Sequence, residues 1–501
     1  MSLSCVANSA QTLRFVLDGA VVSLHEPPPT MTVLEYLRDV AGRHGTKEGC
    51  AEGDCGACTV VVGELTSDRR RVCYRAVNSC IRFLPTLDGK ELVTVESLQQ
   101  PNDCAAHPVQ QSLVDHHGSQ CGFCTPGFVM SLFALYLNSD AADREQVLSA
   151  LAGNLCRCTG YRPIIEAGMR QFAYAPPAHW SREEACSQSH VEALKSIARE
   201  RAAASSLHYP GFHAPLGLDE LSDALGSSPD SVLLAGGTDI GLWVTKQLRD
   251  LPALVYLGDV PELARIEERP RELWIGAAVT LTDAWPALLA RFPALAEQTA
   301  RFASPPIRNS ATLCGNLANG SPIGDSIQML IALDAELELR RGTTIRRVPL
   351  EDFYLEYQKK DLSAGEYVAG VAVPPARKGQ LLASYKLSKR IDQDISAVAA
   401  TFCVTLAGTQ VTEARLAYGG LAGVPQRARH TERALMDGGW NLAGIEASIA
   451  ALATDFEPLT DLRASREYRL TAAGNLLRRF YLQQQGGHVA LRTADALLDV
   501  G

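Results

Sequence analysis

Ten of the chain's 14 cysteines fall between Cys50 and Cys158, and this crowding constrains the fold more than any other feature. In a reducing compartment such crowding points to metal ligation or catalysis before disulfide stapling. The first group reads Cys50-Ala-Glu-Gly-Asp-Cys55-Gly-Ala-Cys58, with Cys80 further on. This is the C-x4-C-x2-C spacing, plus a distant fourth cysteine, of plant-type 2Fe-2S sites. Four thiolates must converge on two irons from one side, so the short loop has to fold tightly. Gly49, Gly53 and Gly56 supply the dihedral freedom and let amide N–H groups reach the sulfurs. The second group pairs Gln120-Cys121-Gly-Phe-Cys124-Thr-Pro-Gly with Asn154-Leu-Cys156-Arg-Cys158-Thr-Gly. Pro126 suits a first helical turn and Gly153-Asn154 a helix end, so two helix termini can bring the pairs together. On spacing alone, zinc and a second 2Fe-2S cluster both stay open. The neighbouring plant-type group favours the cluster, because two adjacent centres form an electron path.

His107, His116 and His117 lie near these cysteines, but eight thiols already complete two four-ligand sites, so the histidines read as structural. Cys73, beside Val72 and Tyr74, reads as a buried apolar residue. Cys5, Cys104, Cys186, Cys314 and Cys403 carry no motif and read as structural or surface thiols.

At about 150 residues per domain, 501 residues make roughly three domains. With 46% apolar and 21% charged residues, each can bury a core. The formal charge of −9 repels a polyanion, which argues against nucleic acid as a partner. The opening residues MSLSCVANSAQTLRF show neither the basic start nor the apolar stretch of a secretory signal. No apolar run approaches the roughly 20 residues of a membrane span. The sequence therefore predicts a soluble, cytoplasmic protein without a membrane partner.

Alternation around Asp18-Gly19 predicts a β-hairpin, and Thr32 followed by Glu35 predicts a capped short helix. With strands at Thr59 to Val62 and Leu92 to Val95, residues 1–95 read as a small sheet packed on one helix. Helical spacing covers 96–174. The Pro-, Ala-, Ser- and charge-rich stretch 175–206 reads as a surface linker. The remainder mixes strands (Val232 to Leu234, Leu273 to Ile275, Val368 to Val373, Phe402 to Leu406) with helices (Asp283 to Ala290, Ser326 to Leu333), so it is α+β.

No Gly-x-Gly-x-x-Gly follows a strand, which leaves a Rossmann dinucleotide site unsupported. Instead Leu233-Leu234-Ala235-Gly236-Gly237-Thr238-Asp239-Ile240 follows a strand-like run. Thr312-Leu313-Cys314-Gly315-Asn316 precedes Ser321-Pro-Ile-Gly-Asp325. Two such turns can offer backbone amides to a pyrophosphate, although either alone is a common structural turn.

Taken together, the plant-type cysteines, QCGFCTPG, NLCRCTGYRP, LLAGGTDIG, PPIRNSATLCGN and SPIGD resemble the iron-sulfur/FAD subunits of the molybdenum hydroxylases, xanthine-oxidising branch, over nearly the whole chain. The resemblance implies an α+β multidomain chain. Its parts are a ferredoxin-like β-grasp domain (1–95), a helical-bundle 2Fe-2S domain (96–174), a vanillyl-alcohol-oxidase-type FAD domain (207–382) and a C-terminal α+β domain (383–501). It implies cluster ligands Cys50, Cys55, Cys58 and Cys80, then Cys121, Cys124, Cys156 and Cys158. It puts FAD contacts at Leu233 to Ile240, Thr312 to Asn316 and Asp325, with Phe302 against the flavin ring and Lys386 near its pyrimidine edge. By themselves Phe302 also reads as core and Lys386 as a solvated lysine. Gln120 matches a glutamine facing the partner's pterin, and Arg390 to Asp394 a loop bearing on nicotinamide access. Cys314 stands where the family has Gly, which bears on how closely the backbone reaches FAD. The resemblance further implies that no residue here is a catalytic acid, base or nucleophile. Hypoxanthine or xanthine would be oxidised at molybdopterin-bound molybdenum on a larger partner chain, in a heterotetramer of two small and two large chains, with NAD as acceptor. Arg157, between two ligands, would stabilise the more negative reduced cluster.

Overall fold

The hairpin forms as expected: β1 (Thr12–Leu17) pairs antiparallel with β2 (Ala20–His25). Asp18 and Gly19 take φ of 54° and 75°, the left-handed pair that a two-residue turn requires. This computed structural model describes residues 11–99, 106–204 and 206–486; Cys5 and Cys104 lie outside them. Thr32 caps helix Val33–Glu35 through a reciprocal capping box with Glu35. Strands β3 (Thr59–Leu65), β4 (Val72–Asn78) and β5 (Glu91–Val93) complete a five-stranded sheet in the order β2-β1-β5-β3-β4, with β1 parallel to β5. This is the ferredoxin-like β-grasp arrangement.

The β-branched run on β3 is explained by burial on both faces. Val61 packs with Val16, Val93 and the following helices, while Val60 and Val62 pack with Phe15 against a second, four-stranded sheet. That sheet orders β6 (Leu207–Tyr209), β7 (Phe212–Ala214), β9 (Leu254–Tyr256) and β8 (Val232–Leu234). The helical part comprises Pro108–Asp115, Thr125–Asn138, Arg144–Leu151 and Arg162–Arg170 around Phe128, Leu132, Phe133 and Ile164.

The stretch 175–206 differs from the expected surface linker. Helix Gln188–Ala204 buries Val191, Leu194 and Ile197, and Trp180 before it is only 1% exposed. Apolar residues every third position suffice to dock a helix otherwise made of Ala and charge.

By compactness the described residues fall into two units: those up to Val260 with Ser304–Ala311, and Pro261–Ala303 with those from Thr312 onward. The second unit holds the sheet β10 (Ile266–Arg269), β11 (Glu272–Gly276), β16 (Tyr367–Val373), β12 (Glu336–Arg341), β13 (Thr344–Pro349) and the short pair β14 (Tyr354–Glu356), β15 (Lys359–Lys360). It also holds the antiparallel sheet β17 (Gln380–Leu387), β18 (Val398–Ala407), β19 (Gln410–Gly419), β20 (Gln426–Arg427). Helices Arg429–Gly438, Leu442–Asp455 and Arg466–Gln484 cover the latter over Phe402, Leu416, Tyr418 and Phe480.

Candidate functional site

Cys58 immediately precedes β3 and Cys80 follows the neighbouring β4, so strand pairing alone brings their sulfurs to 3.2 Å. Cys50 and Cys55 come from the loop before β3, and the Cys50 sulfur contacts both Cys55 and Cys80. The loop passes through left-handed backbone at Ala51, Gly53 and Gly56 (φ 54°, 78° and 70°). That winding aims the N–H groups of Glu52, Asp54 and Cys55 at the Cys50 sulfur, at 3.5, 3.3 and 3.4 Å. Contacts with neighbouring sulfurs hold Cys50 and Cys58 below the usual thiol range and push Cys55 and Cys80 above it. Four convergent thiols with amides directed at sulfur fit a 2Fe-2S cluster, whose charge those donors stabilise. Cys73 is half-buried rather than buried as expected, because on β4 it alternates with the inward-facing Val72 and Tyr74 and lies opposite Glu64.

The second group assembles at helix ends, as the flanking Pro and Gly imply. Cys121 and Cys124 precede helix Thr125–Asn138, and Cys156 and Cys158 follow helix Arg144–Leu151, with Gly153 at φ 112° turning the chain. Burial, aided by the Cys156 sulfur, pushes the Cys124 thiol up to about 12, and Cys158 contacts Cys121. The Cys156 N–H donates to the Tyr161 hydroxyl at 3.0 Å. Cys121, Cys158, Gln120 and Arg157 are exposed, beside exposed Phe123 and Leu155. His107 is buried, its ring accepting from the Val109 N–H to cap helix Pro108–Asp115, and burial lowers its pKa to about 4. His116 bonds the Ser112 carbonyl at 2.9 Å. Among the described residues no three Cys, His, Asp or Glu side chains are arranged for a single metal ion.

Sequence reasoning missed the joint between the two groups. The Leu155 N–H donates to the Cys55 carbonyl at 3.0 Å, so one hydrogen bond links residues adjacent to or within both ligand sets. Asn154 reinforces it, donating to the Gly56 carbonyl at 3.2 Å while Ser131 holds its side-chain oxygen at 2.7 Å. Cβ atoms at Gly56 and Gly127 would sit 2.2 Å from the Gly153 carbonyl oxygen and 2.1 Å from that of Gly56. The signal available was a glycine beside each cysteine group, Gly56 after Cys55 and Gly127 three residues after Cys124, whose place in a backbone contact a ligand count passes over.

In the first unit, Leu233 and Leu234 end β8, and Ala235 leads to Gly236, where a Cβ would lie 2.0 Å from the Ser310 carbonyl oxygen. Gly237 follows at φ 74°, then Thr238 and Asp239, whose carboxyl burial raises, and helix Ile240–Thr245. Backbone packed this closely leaves its amides for a pyrophosphate and fits an FAD loop. In the second unit, Thr312 caps helix Leu313–Asn319 by accepting from the Gly315 N–H at 3.0 Å. The Cys314 thiol turns into the core and donates to the Ile275 carbonyl at 3.6 Å, so the residue replacing Gly keeps its side chain under the helix. The Asn316 side-chain oxygen accepts from Ser326 at 2.5 Å. Lys386 is buried: its ammonium donates to Asp325 at 2.5 Å, and the other Asp325 oxygen accepts from Ser396 at 2.6 Å. That excludes the solvated-lysine reading. Phe302 is half-buried, edge-on to Trp285 with ring centroids 5.9 Å apart. Arg390 is exposed, its N–H bonded to Asp394 at 2.8 Å.

Four family models match in succession: a 2Fe-2S iron-sulfur cluster binding domain (15–84), a [2Fe-2S] binding domain (94–169), the FAD binding domain in molybdopterin dehydrogenase (205–376) and the CO dehydrogenase flavoprotein C-terminal domain (383–484). Xanthine dehydrogenase of Emericella nidulans is 33% identical, over 94% of this chain and 38% of its own length. Xanthine dehydrogenase 2 of Arabidopsis thaliana is 32% identical, over 85% and 36%. The chain thus spans under two-fifths of the length of these relatives. Among solved structures, a chain of carbon monoxide dehydrogenase from Hydrogenophaga pseudoflava superposes with a TM-score of 0.51 at 29% identity, covering 54% of this chain and 96% of that one. One from Oligotropha carboxidovorans does so at 0.51 and 27%, covering 54% and 96%. Two iron-sulfur domains followed by both halves of a flavoprotein, collinear with part of the xanthine dehydrogenases, leave one assignment: the chain belongs to the molybdenum hydroxylase family, as an iron-sulfur/FAD subunit.

Proposed function

We propose that this chain carries electrons from hypoxanthine or xanthine, oxidised at molybdopterin-bound molybdenum on a larger partner subunit, to NAD. When bound, the clusters supply one-electron steps, and FAD collects the electrons and releases a hydride. The observation that carries the reading is the Leu155–Cys55 hydrogen bond at 3.0 Å, which gives the two ligand loops a short bonded connection. Cys121, Cys124, Cys156 and Cys158 hold the first acceptor, and their exposed flank with Gln120, Phe123 and Leu155 faces the partner. Cys50, Cys55, Cys58 and Cys80 hold the second. Within the first unit the amides of Gly236 and Gly237, and within the second the Thr312-capped turn, are the FAD contacts of this reading. Asp325, fixed by Lys386 and Ser396, orients the ribityl chain, Phe302 packs on the flavin ring, and Arg390 to Asp394 border the nicotinamide approach. The domain limits at 95, 174, 206 and 382 belong to the same reading, as do a two-plus-two heterotetramer and a cytoplasmic location. Among the described residues no helix is long and apolar enough to cross a membrane.

A second reading has support: the solved structures named above are carbon monoxide dehydrogenases, so another heterocycle, an aldehyde or carbon monoxide can be the substrate of the assembly. The purine reading is supported by the match of a xanthine dehydrogenase along 94% of this chain, cysteine groups and flavin motifs together. The test is the anaerobic visible spectrum of the complex captured on a tagged copy of this chain. Hypoxanthine is expected to bleach both the cluster and flavin bands. Bleaching by NADH alone moves the substrate elsewhere, and a colourless, zinc-rich preparation overturns the redox reading.

A further inference from the structure

Helix Ile240–Thr245 leaves the Gly236-Gly237 turn and runs onto the plant-type cysteine loop. Its start is pressed against the residue after Cys80: a Cβ at Gly241 would lie 2.5 Å from the Ile81 carbonyl oxygen. Its middle packs Leu242 against the apolar group of Leu34, Cys58, Cys80 and Ile81. Its end holds the loop's backbone. The Thr245 hydroxyl donates to the Ala51 carbonyl at 2.7 Å, and the Lys246 ammonium donates to the Cys50 carbonyl at 2.9 Å, with Glu52 at 3.6 Å.

These bonds fall on particular peptide units. The Ala51 carbonyl and the Glu52 N–H belong to one peptide, and that N–H points at the Cys50 sulfur at 3.5 Å. Thr245 therefore grips the oxygen end of a dipole whose hydrogen end faces a cluster ligand, fixing its direction and polarising it. The grip also holds Ala51 in left-handed backbone, φ 54°, which costs a non-glycine residue free energy unless its surroundings enforce it. Lys246 places a cation beside the same ligand and offsets the Glu52 carboxylate.

We propose that Thr245 and Lys246 are positioning residues of the plant-type cluster, tying its ligand loop to the helix that leaves the flavin loop and setting the cluster's reduction potential. The proposal rests on the electron-transfer reading above. The reduced cluster is the more negative state, so an aimed N–H dipole and a nearby cation both favour reduction. Loss of either lowers the potential, and removing Lys246 lowers it further by leaving Glu52 unbalanced.

The test is a redox titration of the cofactor-loaded complex, following each iron-sulfur centre by its electron paramagnetic resonance signal. Thr245→Val and Lys246→Met are expected to shift the plant-type midpoint downward while the helical-domain centre and the FAD content stay at wild-type values. Thr245→Ser and Lys246→Arg are expected to restore it. Unchanged midpoints in both variants overturn the proposal, as does an equal shift at both centres or iron loss from both. A wild-type preparation lacking two iron-sulfur signals defeats the electron-transfer reading beneath it, a result distinct from two normal signals that the substitutions do not move.

Discussion

Gly56 shows how much a single position can decide. It sits at φ 70°, and a Cβ there would meet backbone, 2.2 Å from the Gly153 carbonyl oxygen, so no side-chain rotation relieves the clash. Gly56→Ala is expected to destabilise the fold by about 2–4 kcal/mol, from left-handed strain plus forced separation of two loops. Iron content is expected to fall at both centres, because Cys55 and Cys58 of one group flank the position and the Gly153–Asn154 turn that leads to Cys156 of the other meets the added Cβ; full iron loading at normal stability in the variant would contradict this. The grouping of the eight cysteines into two sets was legible in the sequence because the chemistry proposed for them needs fixed spacings. Cys314 was not, since only the structure shows its thiol turned to the Ile275 carbonyl. The residues that shape the ligand loops, Asn154, Gly127 and Thr245, have no spacing of their own and act through contacts 95 or more residues away in several cases.

At the scale of elements, helix Gln188–Ala204 is fastened to the β-grasp sheet through His190. The imidazole bonds Glu91 at 3.0 Å and Glu184 at 2.9 Å, the Tyr74 hydroxyl donates to Glu91 at 2.7 Å, and Trp180 covers the ring with centroids 5.0 Å apart. Burial alone would push the imidazole pKa down, but the two carboxylates outweigh it and raise it to about 9. A raised histidine pKa stabilises the fold fully below its ordinary value near 6.5, and that contribution is lost as pH rises through 9. The loss is on the order of 2 kcal/mol, allowing for solvent screening. Urea unfolding of the first unit is therefore expected to lose stability between pH 6.5 and 9.5 in wild type, and His190→Gln is expected to flatten that slope; identical slopes would reject the account. The hairpin, the Thr32 cap and most strands were legible because their signals are local. Helix Gln188–Ala204 was not, because Val191, Leu194 and Ile197 are few among Ala and charge, and composition outvoted period.

For the whole molecule, the order of sites along the chain matters more than any one fold. If the helical-domain centre accepts first, Cys124→Ser is expected to reduce electron flow from substrate to NAD by at least about a hundredfold, the scale of losing a metal ligand. NADH oxidation by an artificial dye, which needs only FAD, is expected to stay near wild type; equal loss of both activities would reject the proposed order. The module sequence was legible because each module carries its own motif. The compact units were not: the stretch matched as one FAD-binding domain, 205–376, is divided at Val260. Such a division depends on which surfaces meet, and no local pattern records it.

The Leu155–Cys55 joint also bears on how such chains can be recombined. A crossover between two homologues after β5 and before Gln120 keeps the cysteines and the strand pairing of the first sheet, yet mates a Cys55–Gly56 loop with an Asn154–Leu155 turn from another lineage. The two loops are inherited as one block although about a hundred residues lie between them. Chimeras that exchange both loops together should load iron where those exchanging one do not, which makes the unit of modular exchange a contact rather than a domain.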